Sequence, residues 1–329
     1  MADKYLFLVP DRKAASARYR VLQFLPLAEA EGFSCEVREI PKSLRERSRL
    51  FRHASDFRKV LIHRKLFQPW ELFSLRRRAN KILFDYDDAI LFRDTQDPTH
   101  RSRWREFQFA RTLGSVERVL AGNRYLADLA ARFSTGGRIE VIPTAVDVKR
   151  YPLKETKATS DVTIGWIGSR STLRYLDSIR PALEAIGQAK KGLSLKVVAD
   201  ESYALQALRV ENRLWSEETE IGELLSFDIG ISPLPDDPWT RGKCGLKILQ
   251  YQAAGLPVVS SPVGANQEIV SPGKSGLFAS TIEEWIRALL SLADNAELRA
   301  RMGKAGRASV EKRYSIDAVW PALRAALAE

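Results

Sequence analysis

The feature of this chain that most constrains its fold is a regular alternation of short apolar runs with longer amphipathic stretches. Runs such as residues 5–9 and 162–167 are too short for helices but long enough for buried strands. Stretches such as residues 18–30 carry apolar residues at helical spacing, with charged residues on the other faces. Repeated strand–helix units predict an α/β protein in which helices cover both faces of parallel, doubly wound sheets.

The length of 329 residues fits two domains of ordinary size. A polar stretch over residues 147–161 is the best linker candidate, because it contains Pro152 and few large apolar residues. We therefore predict a Rossmann-like domain over residues 1–150, a second over residues 151–315, and a C-terminal helix over residues 316–329 that packs back on the first. Ligands of open parallel sheets bind at the carboxyl ends of the strands, so we expect the two domains to face a central cleft.

Cysteine content and hydropathy argue against several classes of protein. The two cysteines, Cys35 and Cys244, cannot form a disulfide framework and favour a reducing cytoplasm. No apolar run reaches the roughly 18 residues that a membrane-spanning helix needs, and the short run near the N-terminus does not fit the core of a signal peptide. The histidines are scattered and no CxxC or HExxH motif is present, so a metal site is not expected.

A first candidate anion site follows the predicted strand at residues 162–167. The strand runs into the small residues Gly168 and Ser169 and then into a helix that carries Arg170 and Arg174. Backbone amides at a helix start favour a bound anion, and the two arginines add positive charge beside them. The alternative is an ordinary strand-to-helix turn with surface arginines, and the sequence does not choose between the two.

A second candidate anion site lies in residues 233–266, where Gly, Pro and polar residues are dense at both ends of a predicted helix. The pattern places this helix over residues 244–255, with Lys243 and Lys247 four residues apart across its N-terminus. The free amides from Gly245 onward add to the attraction for an anion. The alternative is a crossover helix with solvated lysines, which would need fewer Gly, Pro and polar residues at its ends.

Several segments occur in the order in which a known enzyme family carries them. They are residues 84–89, 121–127, 141–147, 250–259 (Gln-Tyr-Gln-Ala-Ala-Gly-Leu-Pro-Val-Val), 261–268, 274–277 and 313–315. Together they resemble the family 4 glycosyltransferases, whose fold is GT-B. The resemblance implies a retaining glycosyltransferase that uses a nucleoside-diphosphate sugar as donor and works in cell-surface glycan or glycolipid assembly. We expect the enzyme to need no metal and no cofactor beyond that substrate.

The chain departs from the family pattern in three places. The positions of the family's two glutamates are Gly242 and Gln250, and an amide accepts a hydrogen bond more weakly than a carboxylate does. Arg170 and Arg174 correspond to the family's Arg and Lys, with spacing one residue short. Residues 9–20 replace the usual glycine-rich loop after the first strand. These departures keep open a catalytically idle protein that only binds the nucleotide sugar.

The predicted chemistry concerns the leaving group. Negative charge grows on the diphosphate as the glycosidic bond breaks, and fixed cations and helix amides stabilise it. Arg170 and Lys247 are the predicted catalytic cations, and Asp88 is predicted to orient the acceptor hydroxyl or to act as a base. The predicted donor-binding residues are Gly168, Ser169, Arg174, Asp236, Asp237, Lys243, Gly245, Leu246 and Gln250, and the predicted acceptor-side residues are Arg18, Arg20, Asp85 and Asp87.

The acidic candidates have alternative interpretations. Asp236 or Asp237 either replaces the missing first glutamate at the donor sugar or forms a solvated turn before Pro238. The acidic run at residues 85–88 ends a predicted buried strand, and it also fits a metal site, although a second acidic cluster is absent. A further alternative is that Asp87 or Asp88 merely caps the following helix.

The formal net charge of +11 lies wholly in residues 1–155. Basic residues are densest from residue 38 to residue 81. Six apolar residues are interleaved with them, of which we expect some to be in the core and a few to lie at a lipid interface: Leu44, Leu50, Phe51, Phe67, Trp70 and Phe73. We hypothesise peripheral binding to the inner membrane face, with a glycan or lipid-linked acceptor. The alternatives are a solvated basic face and a basic nucleic-acid-binding protein, although the segment contains no recognisable nucleic-acid-binding motif.

Overall fold

The computed structural model describes residues 4–93, 101–134, 136–155 and 161–329. Part of the predicted linker, residues 156–160, therefore lies outside the described residues. No helix in the described ranges has the length and hydropathy needed to cross a bilayer.

The chain divides into two compact units. The first comprises Met1–Ala145, Asp237–Cys244 and Ile316–Glu329, and the second comprises Val146–Asp236 and Gly245–Ser315. The predicted boundary at residue 150 thus falls inside the second unit. The segment Asp237–Cys244 belongs to the first unit, although the sequence pattern assigned it to the second domain. Its backbone is held there because Asn123 Nδ2 donates hydrogen bonds to the carbonyls of Arg241 and Lys243.

The described part of the first unit is built on a six-stranded parallel sheet with the order β2-β1-β3-β4-β5-β6. β3, β4 and β5 are buried along their whole length, because helices cover both faces of the sheet. The strand order reverses between β1 and β3. The strands are β1 (Lys4–Val9), β2 (Ser34–Glu39), β3 (Lys59–His63), β4 (Ile82–Tyr86), β5 (Arg118–Ala121) and β6 (Arg138–Val141).

Helices cover the two faces of this sheet with separate apolar cores. Phe51, Leu72 and Phe109 from three successive helices share one core with Phe84 of β4. The predicted helix at residues 18–30 is two helices with a short 3-10 turn between them, and these cover the opposite face. The helices are α1 (Ala15–Arg20), α2 (Leu25–Ala30), α3 (Leu44–Arg52), α4 (Pro69–Arg76), α5 (Arg103–Leu113) and α6 (Arg124–Ala131).

In its described part, the second unit also contains a six-stranded parallel sheet, with the order β9-β8-β7-β10-β11-β12. Counted within the unit this is the Rossmann order 3-2-1-4-5-6, so the order reverses between β7 and β10. Ligands of such sheets bind at the carboxyl ends of the strands on either side of that point. The strands are β7 (Val162–Ile167), β8 (Leu193–Ala199), β9 (Arg209–Leu214), β10 (Ile229–Ser232), β11 (Val258–Ser260) and β12 (Gly276–Phe278).

The described part of the second unit contains seven α-helices. The helix at the second candidate anion site begins at Leu246, two residues later than predicted, because Gly245 precedes it with a φ of +70°. The helices are α7 (Arg170–Leu173), α8 (Arg180–Ala189), α9 (Glu220–Leu225), α10 (Leu246–Ala253), α11 (Asn266–Ile269), α12 (Ile282–Asp294) and α13 (Ala296–Arg313).

The last helix, α14 (Ile316–Ala328), belongs to the first unit. Its Val319, Trp320 and Leu323 enter the core that α1 and α2 cover. Trp320 Nε1 also donates a hydrogen bond to the carboxylate of Glu31, at 2.6 Å. The C-terminal helix therefore closes one face of the first sheet.

Candidate functional site

The second unit gathers polar and small residues at the carboxyl end of β7. Gly168 follows the strand directly, and a Cβ atom added there would lie 2.6 Å from Lys247 Nζ and 2.7 Å from the Trp166 ring. Only glycine therefore allows the lysine and the indole to lie this close to the chain. The turn after β7 and the start of α10, each of which the sequence indicated as a candidate anion site, are therefore neighbours in the structure.

Lys247 is the best-placed cation of this site. It lies in the first turn of α10, and its Nζ is 4.0 Å from the centre of the Trp166 ring and 3.3 Å from Thr172 Oγ1. The first amides of α10 have no acceptor within the helix and point towards its N-terminal end. An ammonium beside a helix N-terminus suits an anion such as a phosphate.

Trp166 and Thr172 were missed by the sequence analysis. Trp166 is fully buried at the penultimate position of β7, where the indole face serves as a platform for the ammonium. Thr172 lies in α7 and presents its hydroxyl to the same ammonium. The only sequence signal was the large Trp166 between the small residues Gly165 and Gly168.

The two predicted arginines lie in different surroundings from Lys247. Arg170 Nε is 3.1 Å from Glu201 Oε2, and three quarters of the Arg170 side chain is exposed. Its backbone amide donates to the carboxylate of Asp200, while the guanidinium of Arg174 lies 5.4 Å from the Tyr175 ring. The neighbouring Ser169 is exposed and shares a 2.9 Å hydrogen bond with Ser171. The roles of Arg170, Arg174 and Ser169 stay predictions.

Gln250, which the resemblance matches to the family's second glutamate, lies in the second turn of α10. Its side chain is buried, and Nε2 donates a long hydrogen bond of 3.5 Å to Tyr151 Oη. Leu246, another predicted donor-binding residue, is half-buried at the first position of the same helix. Both residues thus belong to the helix that carries Lys247.

The predicted donor-binding loop before α10 is divided between the units. Asp236 is exposed and belongs to the second unit, whereas Asp237 and Lys243 belong to the first. One Asp237 carboxylate oxygen accepts hydrogen bonds from the amides of Trp239 and Thr240, each at 2.8 Å. Asp237 therefore has a structural role in this turn. This role is close to the alternative interpretation in which the aspartates form a solvated turn before Pro238.

The acidic residues after β4 form ion pairs within the first unit. Lys243 Nζ lies 3.0 Å from one carboxylate oxygen of Asp88, and Arg64 contacts the other. Arg64 also lies 3.3 Å from Asp87. The burial of Asp88 would raise its pKa, but the Lys243 ammonium and the Arg64 guanidinium lower that pKa below its usual range. Such a carboxylate is a weak base.

A second buried cluster joins β3, β4 and α1. Arg20 forms an ion pair with Asp85, and His63 Nδ1 lies 2.7 Å from the same carboxylate. Arg20 also donates to the carbonyl of Ile142. Arg18, the other predicted acceptor-side arginine, is buried with its guanidinium 5.3 Å from the Tyr19 ring. Across the described residues, no group of three or more His, Cys, Asp or Glu side chains is placed to hold a metal.

The buried Asp85 carboxylate predicts a pH-dependent stability. Burial would raise its pKa, but Arg20 and the hydrogen bond with His63 lower it from 3.8 to about 2. Because the folded pKa is below the unfolded one, ionised Asp85 stabilises the fold above about pH 4 and loses that effect as the pH falls through 2. We expect Asp85→Asn to remove about 2 kcal/mol of this dependence. Urea unfolding of the wild type and of Asp85→Asn between pH 2 and pH 6 measures this dependence. If the free energy of unfolding changes equally with pH in both proteins, Asp85 is not its source.

The surroundings of Gly242, which the resemblance matches to the family's first glutamate, exclude a side chain. An added Cβ atom would lie 2.6 Å from both the backbone nitrogen and the Cβ atom of Ala89. We expect Gly242→Ala to lower the free energy of unfolding by about 1–3 kcal/mol, because the backbone of residue 89 has to shift. Gly222→Ala is the matched control, since nothing lies within 4 Å of its added Cβ atom. Equal stability of the two variants in urea would contradict this account.

Comparisons with known proteins show what the chain is similar to. Residues 161–295 match the family model described as Glycosyl transferases group 1. The chain is similar to a GDP-mannose-dependent monoacylated alpha-(1-6)-phosphatidylinositol monomannoside mannosyltransferase of Corynebacterium glutamicum, with 28% identity over 207 residues. That match covers 56% of this chain and 54% of the relative, so the chain spans about half the length of this relative.

Solved structures share the fold of the chain. A sucrose-phosphate synthase from Thermosynechococcus elongatus superposes with a TM-score of 0.78 at 16% identity, covering 98% of this chain and all of that one. Anabaena HepE in complex with UDP and glucose gives a TM-score of 0.68 at 14% identity, covering 99% of each chain. The chain therefore has the two-domain GT-B fold, and residues 161–295 are similar to the Glycosyl transferases group 1 family.

Proposed function

We propose that the chain is a glycosyltransferase that moves a sugar from a nucleoside-diphosphate sugar to an acceptor hydroxyl. The observation that carries the proposal is the placement of Lys247 at the N-terminus of α10, beside Gly168 and over Trp166. This arrangement lies within the residues that match the glycosyl transferases group 1 model. A diphosphate is the anion that such an enzyme has to bind.

The leaving group sets the chemical requirement at this site. As the bond to the sugar breaks, charge grows on the β-phosphate, and the Lys247 ammonium and the α10 amides stabilise that charge. The cation is held in place before the reaction by Trp166 and Thr172, so it needs little rearrangement. We propose that these fixed groups take the part that a metal has in other transferases. Retention of configuration is proposed from the resemblance to family 4.

The predicted proton transfer by Asp88 has less support. Its carboxylate is committed to Lys243 and Arg64, and both cations lower its pKa. We therefore propose that Asp88 orients neighbouring groups by charge and hydrogen bonding. The predicted acceptor-side residues Arg20 and Asp85 bind each other in the interior of the first unit, which suits a structural role.

The identity of the donor and the acceptor is proposed from the curated relative. That protein is named for GDP-mannose and for a phosphatidylinositol monomannoside. We propose a GDP-sugar as the first donor to test and a lipid-linked glycan as the acceptor, with the enzyme acting peripherally at the inner membrane face. No cofactor beyond the donor is required by this mechanism.

Thermal unfolding with a panel of UDP, GDP, CMP and dTDP sugars tests the proposal. A ligand at 100 times its dissociation constant stabilises the folded chain by about 2.7 kcal/mol, which is readily measured. We expect one class of nucleotide sugar to stabilise the chain and Lys247→Met to reduce that effect. The exposed Lys304 on α13 provides the control variant Lys304→Met, which should respond like the wild type. A panel without any stabilising member would contradict the proposal.

A further inference from the structure

Three neighbouring helices of the first unit expose large apolar side chains. Leu44 on α3, Trp70 and Phe73 on α4, and Trp104 and Phe107 on α5 are each between 47% and 61% exposed. Two of these aromatic residues, Trp104 and Phe107, lie outside the basic segment at residues 38–81 that the sequence analysis singled out. Four of these five side chains are aromatic, and we call all five together the aromatic surface.

The aromatic surface lies on the outer side of one helical layer. Phe51 of α3, Leu72 of α4 and Phe109 of α5 point inward and share one core, so the three helices cover the same face of the sheet. α4 contacts both α3 and α5. The exposed residues occur at a spacing of three on α4 and again on α5, which places each pair on one helix face. Two adjacent apolar stripes, one on α4 and one on α5, therefore lie outside the core.

Rings of the aromatic surface contact each other and a neighbouring arginine. The rings of Trp104 and Phe107 stack with their centres 5.5 Å apart. The guanidinium of Arg77 lies 5.7 Å from the centre of the Phe73 ring. These contacts cover only part of each ring, so much apolar area stays in contact with water.

Basic residues surround the aromatic surface. Three acidic residues lie on these helices: Glu46 is exposed on α3, Glu71 is buried in an ion pair with Arg47, and Glu106 lies 3.4 Å from Arg101. They are outnumbered by the exposed arginines named below. The exposed faces are therefore strongly positive. The exposed arginines on these helices and directly after α4 are Arg45, Arg49, Arg52, Arg76, Arg77, Arg78, Arg103, Arg105 and Arg111.

We propose that the aromatic surface inserts into the interface of an anionic membrane, with the surrounding arginines bound to lipid phosphates. Tryptophan suits that depth because its ring is apolar and its N–H group reaches water. Each basic residue near an anionic leaflet adds to the attraction. Charge alone would explain adsorption, but the exposed rings indicate a second, apolar contribution. This inference stands independently of the proposed sugar transfer.

Sedimentation with vesicles separates the apolar contribution from the electrostatic one. The full chain should bind vesicles that contain phosphatidylglycerol, and its tryptophan fluorescence should shift to shorter wavelength. Trp70→Ser with Phe73→Ser, or Trp104→Ser with Phe107→Ser, should each weaken binding by about tenfold or more, because two rings no longer leave water. Leu214→Ser is the matched control, since this residue is 77% exposed in the second unit. Wild-type binding by both double variants would overturn the proposal.

Charge reversal provides the second arm of the test. Arg76→Glu, Arg77→Glu and Arg78→Glu together should weaken binding by about a hundredfold or more, and added salt should have a similar effect. The same reversal at the exposed Arg301, Lys304 and Lys312 of α13 should leave binding close to the wild type. All variants should keep the wild-type melting temperature. Equal binding of the wild type to neutral and anionic vesicles would overturn the proposal. Binding of the wild type to duplex DNA without any binding to anionic vesicles would also overturn it.

Discussion

Arg20→Met is expected to lower the free energy of unfolding of the first unit by about 3–5 kcal/mol. Arg20 is buried, forms the ion pair with Asp85, and donates a hydrogen bond to the carbonyl of Ile142. Methionine has a similar length but removes the guanidinium, so the buried Asp85 carboxylate keeps His63 and loses the cation that lowers its pKa. An uncompensated buried charge costs far more than the loss of a surface pair.

The second substitution Asp85→Leu tests the cause of that loss. If the uncompensated carboxylate is responsible, adding Asp85→Leu to Arg20→Met should recover much of the stability, because buried pairs are often replaceable by apolar residues. Lys13→Met, at an exposed position in the loop before α1, controls for the removal of one positive charge. Urea unfolding followed by circular dichroism gives all four values. A loss below about 1 kcal/mol in Arg20→Met would contradict the role of this pair.

Lys247→Met is expected to lower kcat/KM for the donor by about 10²–10³. The Lys247 ammonium lies against Trp166 at the start of α10, where the proposed diphosphate gains charge during bond breaking. Removing one preorganised donor from such a site typically costs that much in the transition state. The rate of nucleoside-diphosphate release from the donor selected by the panel measures the effect.

A control variant and a stability measurement accompany Lys247→Met. Lys304→Met removes a lysine from the exposed face of α13 and should keep the wild-type rate. The stability of Lys247→Met should also stay near that of the wild type, because its ammonium is only half-buried. A fall in kcat/KM smaller than about tenfold would contradict a direct role for Lys247 at the leaving group.

Most of the fold was predictable because apolar runs mark strands that are buried on both faces. Each of the six strands described in the first unit overlaps an apolar run of the sequence, and these runs are residues 5–9, 35–37, 60–63, 82–84, 119–121 and 139–142. β9 (Arg209–Leu214) was missed because it is an edge strand in which four of the six residues are polar or charged. β12 was missed because three residues, Gly276–Phe278, are too short for a periodic signal.

The candidate site was only partly predictable, because side-chain partners depend on contacts that are distant in sequence. Gly168 and Lys247 were both named from local patterns, and the structure brings them together. Lys243 was grouped with Lys247 by their spacing, yet it pairs with Asp88 and belongs to the other unit. Asp237 was proposed to bind sugar, yet its carboxylate accepts two backbone amides. Spacing along a helix predicted neither outcome, since helix α10 begins after Lys243.

The aromatic surface shows the same limit. The sequence drew attention to basic residues and to Phe51, Phe67, Trp70 and Phe73 in one segment, but it could not say which of these rings are in the core. The structure buries Phe51 and Phe67 and exposes Trp70 and Phe73. Which face of an amphipathic helix meets the sheet is decided by the tertiary packing.

The most direct test of the central proposal is sugar transfer itself. The chain, the donor selected by the panel and a total lipid and glycan extract are incubated together, and mass spectrometry then searches for acceptors that have gained one sugar. We predict a single class of glycosylated product with the wild type and with Lys304→Met, and a loss of that product with Lys247→Met. Binding of the donor without transfer to any lipid or glycan would contradict the proposal that the chain is a glycosyltransferase. It would instead indicate a protein that only binds the nucleotide sugar.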